Sequence, residues 1–283
     1  MADISAGFPV TEPDRHSWPG AGWLRIAVLA GIAAGLIAAA FNLGVAERVL
    51  DNAIALESAP VATASVDGEG APDHGEVGHT HGGLVAEPFT RDQQKGGMII
   101  GQGVVGLALG LLLAGVALML GRSTLTPQRF WLALVAAGAW ALLILPALKY
   151  PPLPPGVETV LDIDERQINY LLLVVAGGGS VLIASAIWTR LSGNGARTFG
   201  PFGSVATRVV SVGAVLIAPV LVAFLLLPPD EIAVSFDSGV LTRFRLVAIG
   251  SQALFWVVLA VLGLWLLEHR RLPSFARRRT ADA

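Results

Sequence analysis

Apolar runs of about 20 residues alternate with polar segments along the whole chain, and that alternation predicts its architecture. An α-helix rises about 1.5 Å per residue, so about 20 apolar residues cross a hydrocarbon layer of about 30 Å. The runs place transmembrane helices near 24–45, 98–120, 130–148, 170–189, 205–227 and 244–267. The first run carries Ala38-x-Ala40, which has the form of a signal-peptide cleavage site. It is longer than a signal h-region of about 7–15 residues, so it reads as a span instead. Residues 1–23 read as a disordered leader, about 58–88 as a flexible loop, and 268–283 as a basic tail.

Proline and glycine punctuate the spans. Pro151, Pro152, Pro154 and Pro155 follow the third run at once, and a residue without an N–H and with locked φ cannot continue a helix. Helix three is therefore expected to stop at Lys149–Tyr150, with an extended segment and an acidic loop leading to Tyr170. Pro228-Pro229 ends the fifth run in the same way. The stretch RLSGNGARTFGPFGS is expected to be a Gly-rich turn between helices four and five. The predicted fold class is all-α: a polytopic membrane protein of about six transmembrane helices arranged as three hairpins.

Composition supports this class. The 283 residues are 54% hydrophobic and 14% charged, with a mean hydropathy of +0.66, against about 25% charged residues in ordinary globular domains. The chain has no cysteine, which excludes disulfides and thiolate metal ligation. It has no Walker A pattern, GxSxG, HExxH or EF-hand loop, so no enzyme chemistry is expected. The basic residues are few and dispersed outside the tail, which gives no support for nucleic-acid binding.

Charge distribution orients the spans. Most of the 19 Lys and Arg fall in the leader, the 121–129 and 190–208 turns and the tail, whereas most of the 21 Asp and Glu fall in the other three loops. The positive-inside rule then makes both termini cytoplasmic, in a multi-pass protein of the inner (cytoplasmic) membrane. The same count puts 58–88 on the outside.

The residues that could carry chemistry are sparse. Asp73, His74, Glu76, His79 and His81 share the first outer loop, and imidazole with carboxylate suits Zn, Ni and Co. They read either as an outward metal collector or as a solvated loop in which histidines fell by chance. Glu47 and Asp51 lie four apart at the end of helix one and read as a cation-receiving mouth or as a polar helix end. Within the spans, Asn42, Gln102, Ser251 and Gln252, with Asn169 and Tyr170 at the entrance to helix four, offer oxygens to an ion or serve as interhelical hydrogen-bonding glue. Gly97-xxx-Gly101 and Gly106-xxx-Gly110 on helix two suit close approach of another helix, or of a second subunit in a homo-oligomer. The arginines of the tail suit anionic lipid of the bilayer.

Taken in order, Glu47 and Glu57 after helix one, a His/acid loop, FTRDQQKGGMIIGQGVVGLALG, LPALKYPPLPPGVE and FDSGVLTRFRLVAIGSQALFW resemble the CbtA family, predicted cobalt transporter subunits, over about residues 24–267. LKYPPLPPGVE is the most specific stretch. Phe89, Arg91, Arg166, Tyr170, Phe244, Arg245, Gln252 and Trp256 also match the family pattern. The resemblance implies cobalt(II) uptake linked to cobalamin biosynthesis beside a one-span, His-bearing CbtB-like partner, with no permanently bound cofactor; nickel or zinc is the alternative ion. On this reading His74, His79 and His81 gather metal with Asp73 and Glu76. Glu47, Lys149 and Tyr150 frame the mouth, and Asn42, Gln102 and Gln252 line a neutral pathway. Lys149 would repel a cation unless paired, so it is expected to meet an acid such as Glu47. The alternative function is a non-transporting scaffold or assembly subunit.

Overall fold

The computed structural model describes residues 20–47, 90–120, 125–154, 157, 159–232 and 237–269, with the backbone alone at 20–21, 91–92 and 192–204. The expected leader, the His/acid loop with Asp51 and Glu57, and the basic tail lie outside the described residues. Within them the chain is helical: α1 (Gly20–Phe41, extended by a π-helical turn at Asn42–Ala46), α2 (Arg91–Leu120), α3 (Pro127–Ala139, a π turn at Trp140–Ile144, then Leu145–Lys149), α4 (Ile163–Leu226) and α5 (Ser238–His269). Six segments are long and apolar enough to cross a membrane, and α4 supplies two of them, Ile163–Leu191 and Val205–Leu226.

Several helices begin before their apolar runs because side chains cap them. Thr90 and Gln93 form a reciprocal capping box: the Thr90 amide donates to Gln93 Oε1 at 2.9 Å and the Gln93 amide to Thr90 Oγ1 at 3.3 Å. This starts α2 at Arg91 rather than Met98. Asp237 Oδ1 accepts from the Gly239 and Val240 amides at 2.7 and 2.9 Å, which starts α5 at Ser238 rather than Phe244. Pro127 stands in the first turn of α3 behind Thr126, where its missing N–H costs nothing.

Between spans four and five, where a Gly-rich turn is expected, helical backbone runs through the reversal. A straight helix of 64 residues would be about 96 Å long at 1.5 Å per residue. Yet the flanks of α4 touch: Val160 N donates to Glu231 O at 2.9 Å, and Leu173 and Ala223 share one buried cluster. The axis therefore reverses while the backbone stays helical.

Lipid tails are as apolar as leucine, so spans must associate by close packing and hydrogen bonds. α1 presents Ala27, Ala30, Ala34 and Ala38, all buried, and its Gly31 and Gly35 meet Gly106 and Gly110 of α2 backbone to backbone. A Cβ added at Gly97 or Gly101 would meet nothing within 4 Å, so the backbone-to-backbone approach of α2 to α1 lies at Gly106-xxx-Gly110. α5 packs on both α1 and α3. There the Trp131 indole fills the slot left by Gly263 and donates to Ala260 O at 3.2 Å, while Trp256 lies over Gly138. The second span of α4 is peripheral, with 6% of its most apolar stretch buried against 44% for the first span of the chain.

Candidate functional site

Both π turns sit at the loop-bearing ends of their helices, and both line clefts. A π turn widens the helix and leaves a backbone carbonyl free for other partners. In α3 the cause is visible. Pro146 has no N–H for the carbonyl of Leu142 four residues earlier, and its ring would clash with that carbonyl in a regular helix. The π turn relieves the clash, and Tyr170 Oη donates to Leu142 O at 3.2 Å in place of the missing amide.

The first cleft, about 240 Å³, lies between α1, α2 and α5. Asn42, Ala46 and Glu47 line it from the widened end of α1, Met98 from α2, and Phe244, Val247, Ala248, Ser251 and Gln252 from α5. Its only carboxylate among the described residues is Glu47, whose side chain is 12% exposed and pairs with Lys95 Nζ at 3.8 Å; the Lys95 side chain is 40% exposed. The amide groups of Asn42 and Gln252 and the Ser251 hydroxyl complete an oxygen-rich wall in an otherwise apolar space. Such a wall can replace part of a cation's hydration shell.

The second cleft, about 250 Å³, lies on the other flank of α5. Leu142, Leu143 and Ala147 of α3 line it with Tyr150, Pro152, Arg166 and Tyr170, and it shares Ala248 and Gln252 with the first. Gln252 thus stands on the wall between the two. Arg166 is engaged on both sides. Its Nε donates to Asp230 Oδ2 at 3.2 Å and its Nη2 to Pro151 O at 2.8 Å. Tyr150 Oη donates to Pro228 O at 3.1 Å, and Thr159 bridges Ile232. The proline segment that ends α3 is therefore stapled to the segment that ends α4. Burial, aided by the Asp230 and Glu165 carboxylates, pushes the Tyr150 phenol above its ordinary value, so it stays a proton donor at neutral pH.

These positions sort the candidates. Asn42, Glu47 and Gln252 come together in one cleft, and Tyr150 joins Gln252 in the other. Gln102 is not among the lining residues of either; its backbone carbonyl packs against Gly35. The expected Lys149–Glu47 pair does not form. Glu47 faces Lys95, while Lys149 Nζ lies 5.2 Å from the Phe224 ring and 6.0 Å from the Tyr150 ring, and no carboxylate pairs with it among the described residues. Asp73, His74, Glu76, His79 and His81 lie outside the described residues, within which no group of three His, Asp or Glu is placed to hold a metal. Lys95, Met98 and Asp230 escaped the sequence reading. One signal for Lys95 was its place one turn inside a capped helix start.

One protein-family model, described as probable cobalt transporter subunit (CbtA), matches residues 22–268. No curated protein and no solved structure gives a significant match.

Proposed function

This chain belongs to the CbtA family, and from that membership we propose that it conducts a divalent metal ion, cobalt(II), across the cytoplasmic membrane as the multi-span subunit of a transporter. The observation that supports this reading best is the first cleft. One shielded carboxylate and an amide from the end of α1, with an amide and a hydroxyl from α5, face a common space at the loop-bearing end of the bundle. In this proposal Glu47 receives the ion, Asn42, Ser251 and Gln252 replace part of its water, and Gln252 hands it to the neighbouring cleft. His74, His79 and His81, with Asp73 and Glu76, raise the local metal concentration outside. Tyr150 shapes the second cleft through its bond to Pro228. Lys149 drops out as the partner of Glu47, and Gln102 serves the α1–α2 seam. Both termini are cytoplasmic, the partner is a one-span His-bearing CbtB-like subunit, and the imported metal serves cobalamin synthesis.

Uptake of labelled cobalt by cells expressing the chain with its partner tests the proposal. Glu47→Gln and Gln252→Leu are each expected to cut uptake at least tenfold at unchanged expression. Uptake at the unsubstituted rate in both variants refutes the assigned path.

The scaffold reading keeps one specific support: the second span of α4 is 6% buried and offers an apolar flank to a neighbour. Proteoliposomes holding this chain alone separate the two. Cobalt influx favours the conductor; influx only when the partner is added, and unaffected by Glu47→Gln, favours the scaffold.

A further inference from the structure

We infer that Lys95 is a tethered counter-cation, which holds Glu47 in the metal-free cleft and which an arriving divalent ion displaces. The inference rests on the reading of the first cleft as the metal entrance and adds a determinant of its affinity. A bare carboxylate is costly beside Ala46, Met98, Phe244, Val247 and Ala248, because burial of an uncompensated charge is disfavoured. Lys95 supplies the compensation, and its geometry suits temporary use. The contact is long, 3.8 Å, and the lysine is the more exposed partner, 40% against 12% for Glu47. An exposed ammonium on a flexible stem returns to water at little cost, and such pairs contribute little net stability. A divalent ion carries twice the charge into the same position and accepts further oxygens from Asn42, Ser251 and Gln252. The exchange keeps the cleft compensated before and after metal arrives.

The chain provides its own control. It contains two lysines, Lys95 and Lys149, and the second lies over Phe224, away from the cleft. In the full chain in nanodiscs, an amine-reactive reagent followed by mass spectrometry is expected to label Lys95 several-fold faster when cobalt(II) is added, with Lys149 unchanged. Cobalt titration of the same preparation is expected to tighten about two- to fivefold in Lys95→Gln, the range that releasing a half-exposed pair allows. Lys95→Arg is expected to stay near the unsubstituted value. In a Glu47→Gln background, Lys95→Gln is expected to have no effect. Weaker or unchanged cobalt binding in Lys95→Gln, or cobalt-independent labelling of Lys95 while Glu47→Gln still abolishes binding, overturns the counter-cation and leaves the entrance standing. Undiminished binding in Glu47→Gln overturns the entrance itself, and the counter-cation with it.

Discussion

The staple between the two proline-ended segments predicts an asymmetry between its charged partners. Asp230 is almost wholly shielded, with its side chain 2% exposed, whereas Arg166 is 28% exposed. Asp230 Oδ1 has no hydrogen-bond partner, so Arg166 is the main compensation for that carboxylate. Arg166→Ala strands a buried charge and also removes the 2.8 Å bond to Pro151 O, which places its cost in the range of breaking a buried pair, about 3–5 kcal/mol. Asp230→Ala leaves a guanidinium that still bonds Pro151 O and reaches water, for a cost of about 1–2 kcal/mol. The double variant leaves no charge behind and should fall nearer to Asp230→Ala than to Arg166→Ala. Each kcal/mol moves the unfolding midpoint by about 2–4 °C in a chain of this size. The gap between the single variants should therefore be at least about 2 °C in detergent or nanodisc melts. If Asp230→Ala proves the costlier variant, or if the two single variants melt alike, the carboxylate is not compensated as described.

Other expectations follow from the packing. Gly263→Ala drives a methyl into the Trp131 indole, and both sit on helix backbone, so a loss of about 1–3 kcal/mol is expected, with a shifted Trp emission; an unperturbed melt would mean that the slot is loose. Gly106→Ala should separate α1 from α2 and lower the yield of folded protein, whereas Gly101→Ala, whose added Cβ meets nothing within 4 Å, should not; equal yields would refute the glycine seam. Tyr170→Phe strands the Leu142 carbonyl and should cost about 1 kcal/mol, an effect that vanishes in a Pro146→Ala background, where the missing backbone donor returns; persistence of the cost there would show that the phenol does other work.

Much of this was legible from the chain because the bilayer constrains it so tightly: runs of apolar residues had to be spans, and the prolines after Lys149 and Leu227 had to end helices. The caps were legible too, since T-x-x-Q at Thr90 and Asp237 before Ser238-Gly239 are local signals that a search by hydropathy passes over. Contacts between the proline-ended segments were not. They depend on α4 doubling back, and helical residues in the reversal hide the turn from a reading that equates turns with loss of helix.

The Glu47–Lys95 pair shows where the boundary lies. Gly31 meets Gly106 and Gly110, and Gly35 meets Gln102 and Gly106, so each step of four along α1 is matched by a step of four backwards along α2. Continuing that antiparallel register three steps beyond Gly35 reaches Glu47 on one helix and the first turns of α2 on the other, where Lys95 stands. A pairing of Gly31-xxx-Gly35 with Gly106-xxx-Gly110 would therefore have turned Glu47 toward the first turns of α2, which hold Lys95, rather than toward Lys149, a choice that charge alone could not make. The same register holds Met98 beside the carboxylate in the first cleft. Small residues deep in the membrane thus set which side chains meet at its edge, and a substitution that slips the seam by one turn should separate Glu47 from Lys95 without touching either.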